Sequence, residues 1–422
     1  MSSDRPPSSP PTPAPLAGAE PRPDPDQRVK PSPKQAFEPG AHALYPSSTF
    51  GDTGAGADAR IPTGRDVEWE PLVDYRRNGV SETTIHGAVA WVHGDEPLHA
   101  FGGNVLCYGR SMMKLLYMRV FTDVLADVLD WKQKAISVSS HNGTAEHVAA
   151  ATSILPESEW GLMQTPLDVP LVQFGRQVRR PRRWFNNSSG QHAALLLGCR
   201  LRGWGRAGYT LPNHPIFGAY MDVLRSVLGE EWSPLRVARD GDGMPTVSMT
   251  VTELARCYAA LARDRDRDWI WESMVREPDL VGGFNRLDTT VIKSCGGKVI
   301  AKEGADGLLG LAIDHPDYPR GLGVVIKIAH GWNPQATWYV ARGVLGVLGM
   351  ELRNPYKLHR QKAFLVPGIV PPHLREALGR IPTWEPWDPD HDRWYYEADA
   401  FDGADAGAGP QEGWSDGSGG LR

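Results

Sequence analysis

The chain has 422 residues and a formal net charge of -5 with acids and bases interspersed, so it presents no basic field for nucleic acid or for an anionic membrane surface. It holds no apolar run of about 18 residues and no apolar signal-peptide core near its start, so neither a membrane span nor export is predicted. Cys107, Cys199, Cys257 and Cys295 are widely separated with no C-x-x-C pair, the usage of reduced, mostly buried thiols in a cytoplasmic protein.

Residues 1–65, with SSDRPPSSPPTPAPLAG near their start, are rich in Pro, Ser, Gly and Ala and poor in large apolar side chains. Such a segment buries too little surface to offset its ordering entropy, and it is read as a disordered leader. Denser sequence begins with DVEWEPLVDYRRNG at residue 66, and HGAVAWVHGDEPLHAFG alternates as two strands joined by an HGDE turn, a hairpin. SMMKLLYMRVFTDVLADVL is apolar at helical spacing and follows Gly109, which puts Ser111 near a helix N-terminus, where free backbone N–H groups favour developing negative charge.

AEHVAAATSIL, GQHAALLLGCRLRGW, HPIFGAYMDVLRSVLG and TVTELARCYAALARDRD carry helix periodicity, the last with Thr250 or Thr252 as its cap. Among them RQVRRPRR, residues 176–183, is a loop broken by Pro181, read as a solvated segment with some pull on anionic substrates. Strand-like runs return in TTVIKSCGGKVIAKEG, GLLGLAID and GLGVVIKIAHG, ahead of the helix ATWYVARGVLGVLGM. Strands at both ends with helices between predict an α+β fold whose first and last segments share a sheet. The domain is drawn over residues 66–351, followed by a Pro- and Trp-rich extension at 352–400 that packs on its surface, covers substrate or binds a partner, and a flexible tail at 401–422.

GRSMMK, residues 109–114, places Ser111 and Lys114 at the i, i+3 spacing that shares a helix face. A serine hydroxyl needs a proton acceptor within hydrogen-bond reach, and a lysine serves only when neutral. Met112, Met113, Leu115 and Leu116 would desolvate the ammonium of Lys114; lowering a lysine from about 10.4 to about 7 takes roughly 4 to 5 kcal/mol. The motif alone is weak, because Ser-x-x-Lys arises by chance in most chains of this length.

A longer series of motifs lifts it. Glu82 to Gly87, RSMMK, SSHNG with AEH, NNSSGQH, PNHP, DGDGMPT, PDLVGGFNRLDT, KEGADG and GLGVVIKI follow in order. Over residues 79–349 the chain resembles the bacterial L-asparaginase II family, the Rhizobium-type asparaginases, whose fold is similar to serine β-lactamases and glutaminases. The resemblance implies an antiparallel sheet of N- and C-terminal strands around a helical middle, a small amide or amino-acid substrate, and a homodimer. It also implies that Ser111 with Lys114, and Ser140 with Lys302, are catalytic pairs. Arg110, His192 and Asp240 fall on pocket positions, where an Arg would grip a carboxylate and an Asp an α-ammonium. His141, Asn142, Asn187, Ser188, Gln191 and Asp242 complete the candidate substrate-binding set.

Plainer readings stand beside these. Ser140 would merely cap the AEHVAAAT helix, Asn142 and Gly143 would be turn residues, His192 a packed helix residue, and Arg286 with Asp288 a structural ion pair. The chain also departs from the family. The family's CSGK, which helps hold zinc, reads SSGQ here, and its DGCG reads DGDG, so Ser188, Gln191 and Asp242 occupy the ligand positions. A hydroxyl, an amide and one carboxylate make a poor zinc site, and no metal or other cofactor is expected. Leu115 and Tyr117 stand where family members often have Pro and Gln, and Ile85 where they usually have His. Retained chemistry with altered lining indicates a changed substrate. The reading is a serine amidohydrolase; the alternatives are an acyltransferase forming amide bonds at the same site and a catalytically silent binding protein.

Overall fold

A first hairpin is set by Asn78-Gly79, both in the left-handed region (φ 47° and 84°), which turns β1 (Glu70–Arg77) into β2 (Val80–His93). The expected HGDE turn follows, and β3 (Glu96–Phe101) pairs with β2, His93 opposite Glu96. This computed structural model describes residues 67–168, 181–356 and 362–382. The predicted leader, the basic stretch as far as Arg180, the Trp-rich run from residue 383 and the tail lie outside the described residues.

A small three-stranded sheet follows, β4 (Leu106–Tyr108) and β5 (Val237–Arg239) flanking β6 (Pro245–Thr250). The main sheet is completed by β7 (Val299–Gly304), β8 (Leu308–Ile313), β9 (Leu322–Ile328) and β10 (Lys362–Leu365). Its order is β10-β1-β2-β9-β8-β7, with β3 also on β2, and every pairing is antiparallel. The α+β arrangement read from the sequence is therefore the fold, with chain-terminal strands adjacent and helices between. The sheet does not stop at residue 351: β10 adds an edge strand to β1, and Ile369, Val370 and Leu378 beyond it are buried in the main core.

One face of the sheet, including Val89, Trp91, Leu311 and Val324, forms that core with Trp338 and Val344 of the helix Pro334–Val347. The other face carries small residues beneath the helix Val251–Arg263, which Thr250 caps in a reciprocal pair with Glu253. A Cβ on Gly323 would sit 2.0 Å from the Ala255 carbonyl, so the helix backbone lies directly on β9.

Two expectations change. The run after Ser111 is a 3-10 turn, Arg110–Met113, then short helices Lys114–Met118 and Thr122–Leu125. It breaks where Arg119 turns inward to Asp268 (3.0 Å) and Phe121 packs against Gly198. TTVIKS is not a strand but part of the helix Leu287–Ser294; burial of Leu287, Val291 and Ile292 at helical spacing overrides the β preference of its branched residues.

Candidate active site

GRSMMK is held from two sides. Tyr258, on the helix Val251–Arg263, donates its hydroxyl to the Met112 carbonyl at 2.9 Å, and Gly304 at the end of β7 lies under Met112, where a Cβ would come within 3.0 Å of its side chain. Arg110 adopts φ 50°, a conformation that costs a non-glycine residue of order 1 kcal/mol or more, and its guanidinium meets Asp306 at 3.0 Å. The turn leaves Ser111 half-buried and Lys114 buried beside it.

Lys114 Nζ lies 2.8 Å from the Ser139 carbonyl, 3.1 Å from Ser140 Oγ and 2.7 Å from Ser188 Oγ. Burial pushes its pKa down to about 7, against the pull of the nearby Asp242 carboxylate. Ser188 Oγ in turn donates to the Asp242 carboxylate, with Asn187 Oδ1 at 2.8 Å as a second acceptor. The structure thus joins Lys114 to Ser140 and Ser188. The Ser111 hydroxyl has no hydrogen-bond partner among the described residues and opens instead on a narrow cleft. Arg110, Lys114, Tyr117, Gln191, Tyr220 and Asp240 also line that cleft.

Ser140 does not cap the following helix; Thr144 does, in a reciprocal pair with His147. Ser140 lies in an extended stretch pinned on both sides: its N–H donates to the Val281 carbonyl (2.9 Å), its carbonyl accepts from Arg286 (2.8 Å), and the Asn142 N–H donates to the Gly282 carbonyl (2.9 Å). His141 is fully buried, accepts the Gly143 N–H at Nδ1 (3.1 Å) and donates from Nε2 to Ser189 Oγ (2.9 Å). Burial, then the neighbouring His147, hold its pKa well below the ordinary value, so it is neutral scaffolding for the loop. Asn142 ties that loop to the Phe284 carbonyl at 2.8 Å.

Asp240 Oδ1 accepts the N–H groups of Asp242 (3.0 Å) and Met244 (2.9 Å), the short turn that carries Asp242 into the site. Burial, and then the Asp242 charge, raise its pKa to about 6. His192 is fully buried, with Nδ1 at 2.7 Å from the Tyr209 hydroxyl. That hydroxyl also accepts the Gln164 N–H (3.0 Å), and His192 Nε2 is without a partner among the described residues. Burial lowers the imidazole to about 4.

Lys302, on β7, is fully buried, and its amine meets Asp288 at 3.0 Å and the Glu303 carbonyl at 3.0 Å; no serine among the described residues is its partner. Arg286 takes Glu303 at 2.8 Å, so the expected Arg286–Asp288 pair divides into two pairs that tie the helix Leu287–Ser294 to β7. Sequence reasoning missed Ser139, Tyr209, Tyr220 and Tyr258. Their contributions are a backbone carbonyl and three hydroxyls or rings delivered by tertiary packing, for which no local motif exists.

The match to a family model decides the broader question: the model for L-asparaginase II matches residues 73–370, well over half of the chain. The chain belongs to the L-asparaginase II family. A search of curated proteins finds no match. The family accounts for the β-lactamase-like arrangement and implies an amidohydrolase-type function on a small molecule. No helix among the described residues is long and apolar enough to cross a membrane.

At three positions, Ser188, Gln191 and Asp242, the family resemblance implies metal ligands. The residues there do not fit zinc: Ser188 and Asp242 are hydrogen-bonded to each other, the Gln191 amide is a weak donor, and no cluster of three His, Cys, Asp or Glu suited to a metal exists among the described residues.

Proposed function

We propose that this L-asparaginase II member hydrolyses the side-chain amide of asparagine or a related small amide through an acyl-enzyme on Ser140, with Lys114 as its base. The observation that carries this reading is the 3.1 Å contact between Ser140 Oγ and a buried lysine whose pKa is lowered to about 7. A base poised near the working pH is the condition for proton abstraction from a hydroxyl. As the Ser140 Oγ–carbon bond forms, its proton passes to Lys114 Nζ. The ammonium then protonates the leaving nitrogen, and ammonia departs. Water repeats the sequence on the ester, returning the Ser140 hydroxyl and releasing the acid.

Ser111 and Gln191 line the cleft beside this couple and are suited to hydrogen-bonding the amide. Arg110 would take a substrate carboxylate and Asp240 an α-ammonium. Transfer of the acyl group to an amine in place of water is the second reading. Its ground is the altered lining, where the Tyr117–Tyr220 stack, centroids 3.9 Å apart, offers a flat aromatic wall at the position where the family resemblance implies Gln.

The test is incubation with asparagine and with glutamine, reading ammonia release and the intact mass of the protein. An adduct on Ser140, and loss of turnover by about 10⁶-fold in Ser140→Ala, are expected. Turnover that survives in Ser140→Ala and vanishes in Ser111→Ala would move the nucleophile to Ser111. Product that forms only with an added amine would select transfer, and binding with neither adduct nor product would leave a silent pocket.

A further inference from the structure

The Lys114 amine reaches past Ser140 to Ser188 Oγ at 2.7 Å, and that hydroxyl donates to the Asp242 carboxylate. We propose that Asp242 and Ser188, standing at the family's metal positions, form a positioning relay that holds the lone pair of Lys114 on Ser140. The proposal rests on Ser140 being the nucleophile.

Counting hydrogens gives the argument. A neutral amine has two N–H groups and one lone pair. The Ser139 carbonyl only accepts, which uses one N–H at 2.8 Å. Ser188 has a single proton, which goes to the Asp242 carboxylate or to Asn187 Oδ1, so towards Lys114 it accepts and uses the second N–H. What remains facing Ser140 Oγ, at 3.1 Å, is the lone pair. The anionic Asp242 is the stronger of the two acceptors behind Ser188 and keeps that proton from turning onto Lys114, where it would occupy the electrons needed for catalysis.

The same geometry serves the return step. Once Lys114 has taken the Ser140 proton, its first two N–H groups remain on Ser139 and Ser188, and the new N–H points at the reacting atoms without a rotation. Asp242 touches neither substrate nor Ser140 in this scheme; it acts through Ser188 as a positioning residue. The charged groups acting on Lys114 are Asp240 and Asp242 from the turn between β5 and β6, Lys302 from β7 and Arg286 ahead of its helix. His141 and His192, also near it, are held neutral by burial.

The experiment uses the full chain and methanesulfonyl fluoride, which sulfonylates an activated serine with loss of HF, the labelled residue being located by peptide mass spectrometry. Labelling of Ser140 is expected to rise with pH through about 7 in the unaltered protein. Ser188→Ala slows it about 10- to 100-fold, while Ser188→Thr, which keeps the hydroxyl, restores most of the rate. Asp242→Asn slows it too and moves the midpoint to lower pH, because the carboxylate favouring the ammonium is gone. Should Ser188→Ala fail to fold, the Asp242→Asn rate well above its midpoint decides: slowing that persists where Lys114 is fully neutral supports the relay, and an unslowed rate there overturns it. Unchanged rate and midpoint in both variants, or equal slowing in Ser188→Ala and Ser188→Thr, overturns the relay while leaving Ser140 the nucleophile. Absence of label on Ser140 in the unaltered protein overturns the Ser140 reading itself.

Discussion

A buried lysine brought down to about 7 affects stability as well as reactivity, and the two effects separate in one variant. Between about 7 and 10.5 the unfolded chain binds a proton at Lys114 that the native protein does not, so stability rises with pH across that window. Lys114→Met removes this contribution. Urea unfolding at pH 7 and pH 9.5 is expected to show a gain for the unaltered protein larger than that of Lys114→Met by about 2 to 3 kcal/mol. Equal gains would mean that Lys114 keeps an ordinary pKa. In catalysis the same titration runs the same way: the base is lost as pH falls through about 7, and Asp240, raised to about 6, protonates in the same direction. The sequence revealed Lys114 through GRSMMK and its apolar neighbours, but not which serine it serves. The i, i+3 spacing favours Ser111, whereas Ser140 lies 26 residues on and reaches Nζ only because Val281 and Gly282 pin its loop.

The buried Lys302–Asp288 pair joins one strand to one helix, and its worth can be tested at that scale. Asp288→Ala leaves the Lys302 ammonium without its carboxylate, at a cost of about 3 to 5 kcal/mol, whereas Lys302→Met with Asp288→Leu replaces both charges and recovers much of that loss. If the pair only fastens β7 to the helix Leu287–Ser294, the double variant regains activity along with stability. Recovered stability with activity still absent would restore the catalytic role that the family resemblance implies for Lys302. Chemical denaturation and ammonia release on the same samples decide it. Elements with a strong local period were legible, including the β2–β3 hairpin and the helix capped at Thr250. Leu287–Ser294 was not, because its Thr-Thr-Val-Ile run favours a strand locally and only the burial of Leu287, Asp288 and Val291 makes it helical.

For the molecule as a whole, the first and last strands of the described residues pair with each other. β1 lies between β2 and β10, and the segment carrying β10 comes after the boundary that composition placed at residue 351. That boundary was drawn where the sequence turns Pro-rich, yet Ala363, Ile369, Val370 and Leu378 each bury 95% or more of their surface in the main core, against the same sheet that carries Lys302. Leu365 also packs there, against Gly343 of the helix Pro334–Val347. Ending the chain after residue 351 would therefore uncover Leu72, Trp91 and Trp338 and leave the β1 edge unpaired. Each large aliphatic side chain withdrawn from the core removes about 1.5 to 3 kcal/mol, and three or four together rival the whole stability of an ordinary domain. The truncated chain is expected to lose cooperative unfolding and to aggregate, whereas the full chain melts in one transition that includes β10. Hydrogen exchange on the full chain offers the check: amides of Ala363 to Leu365 should be protected as strongly as those of β1. Fast exchange there, or a cooperative melt for the truncated chain, would place the end of the domain at residue 351 after all.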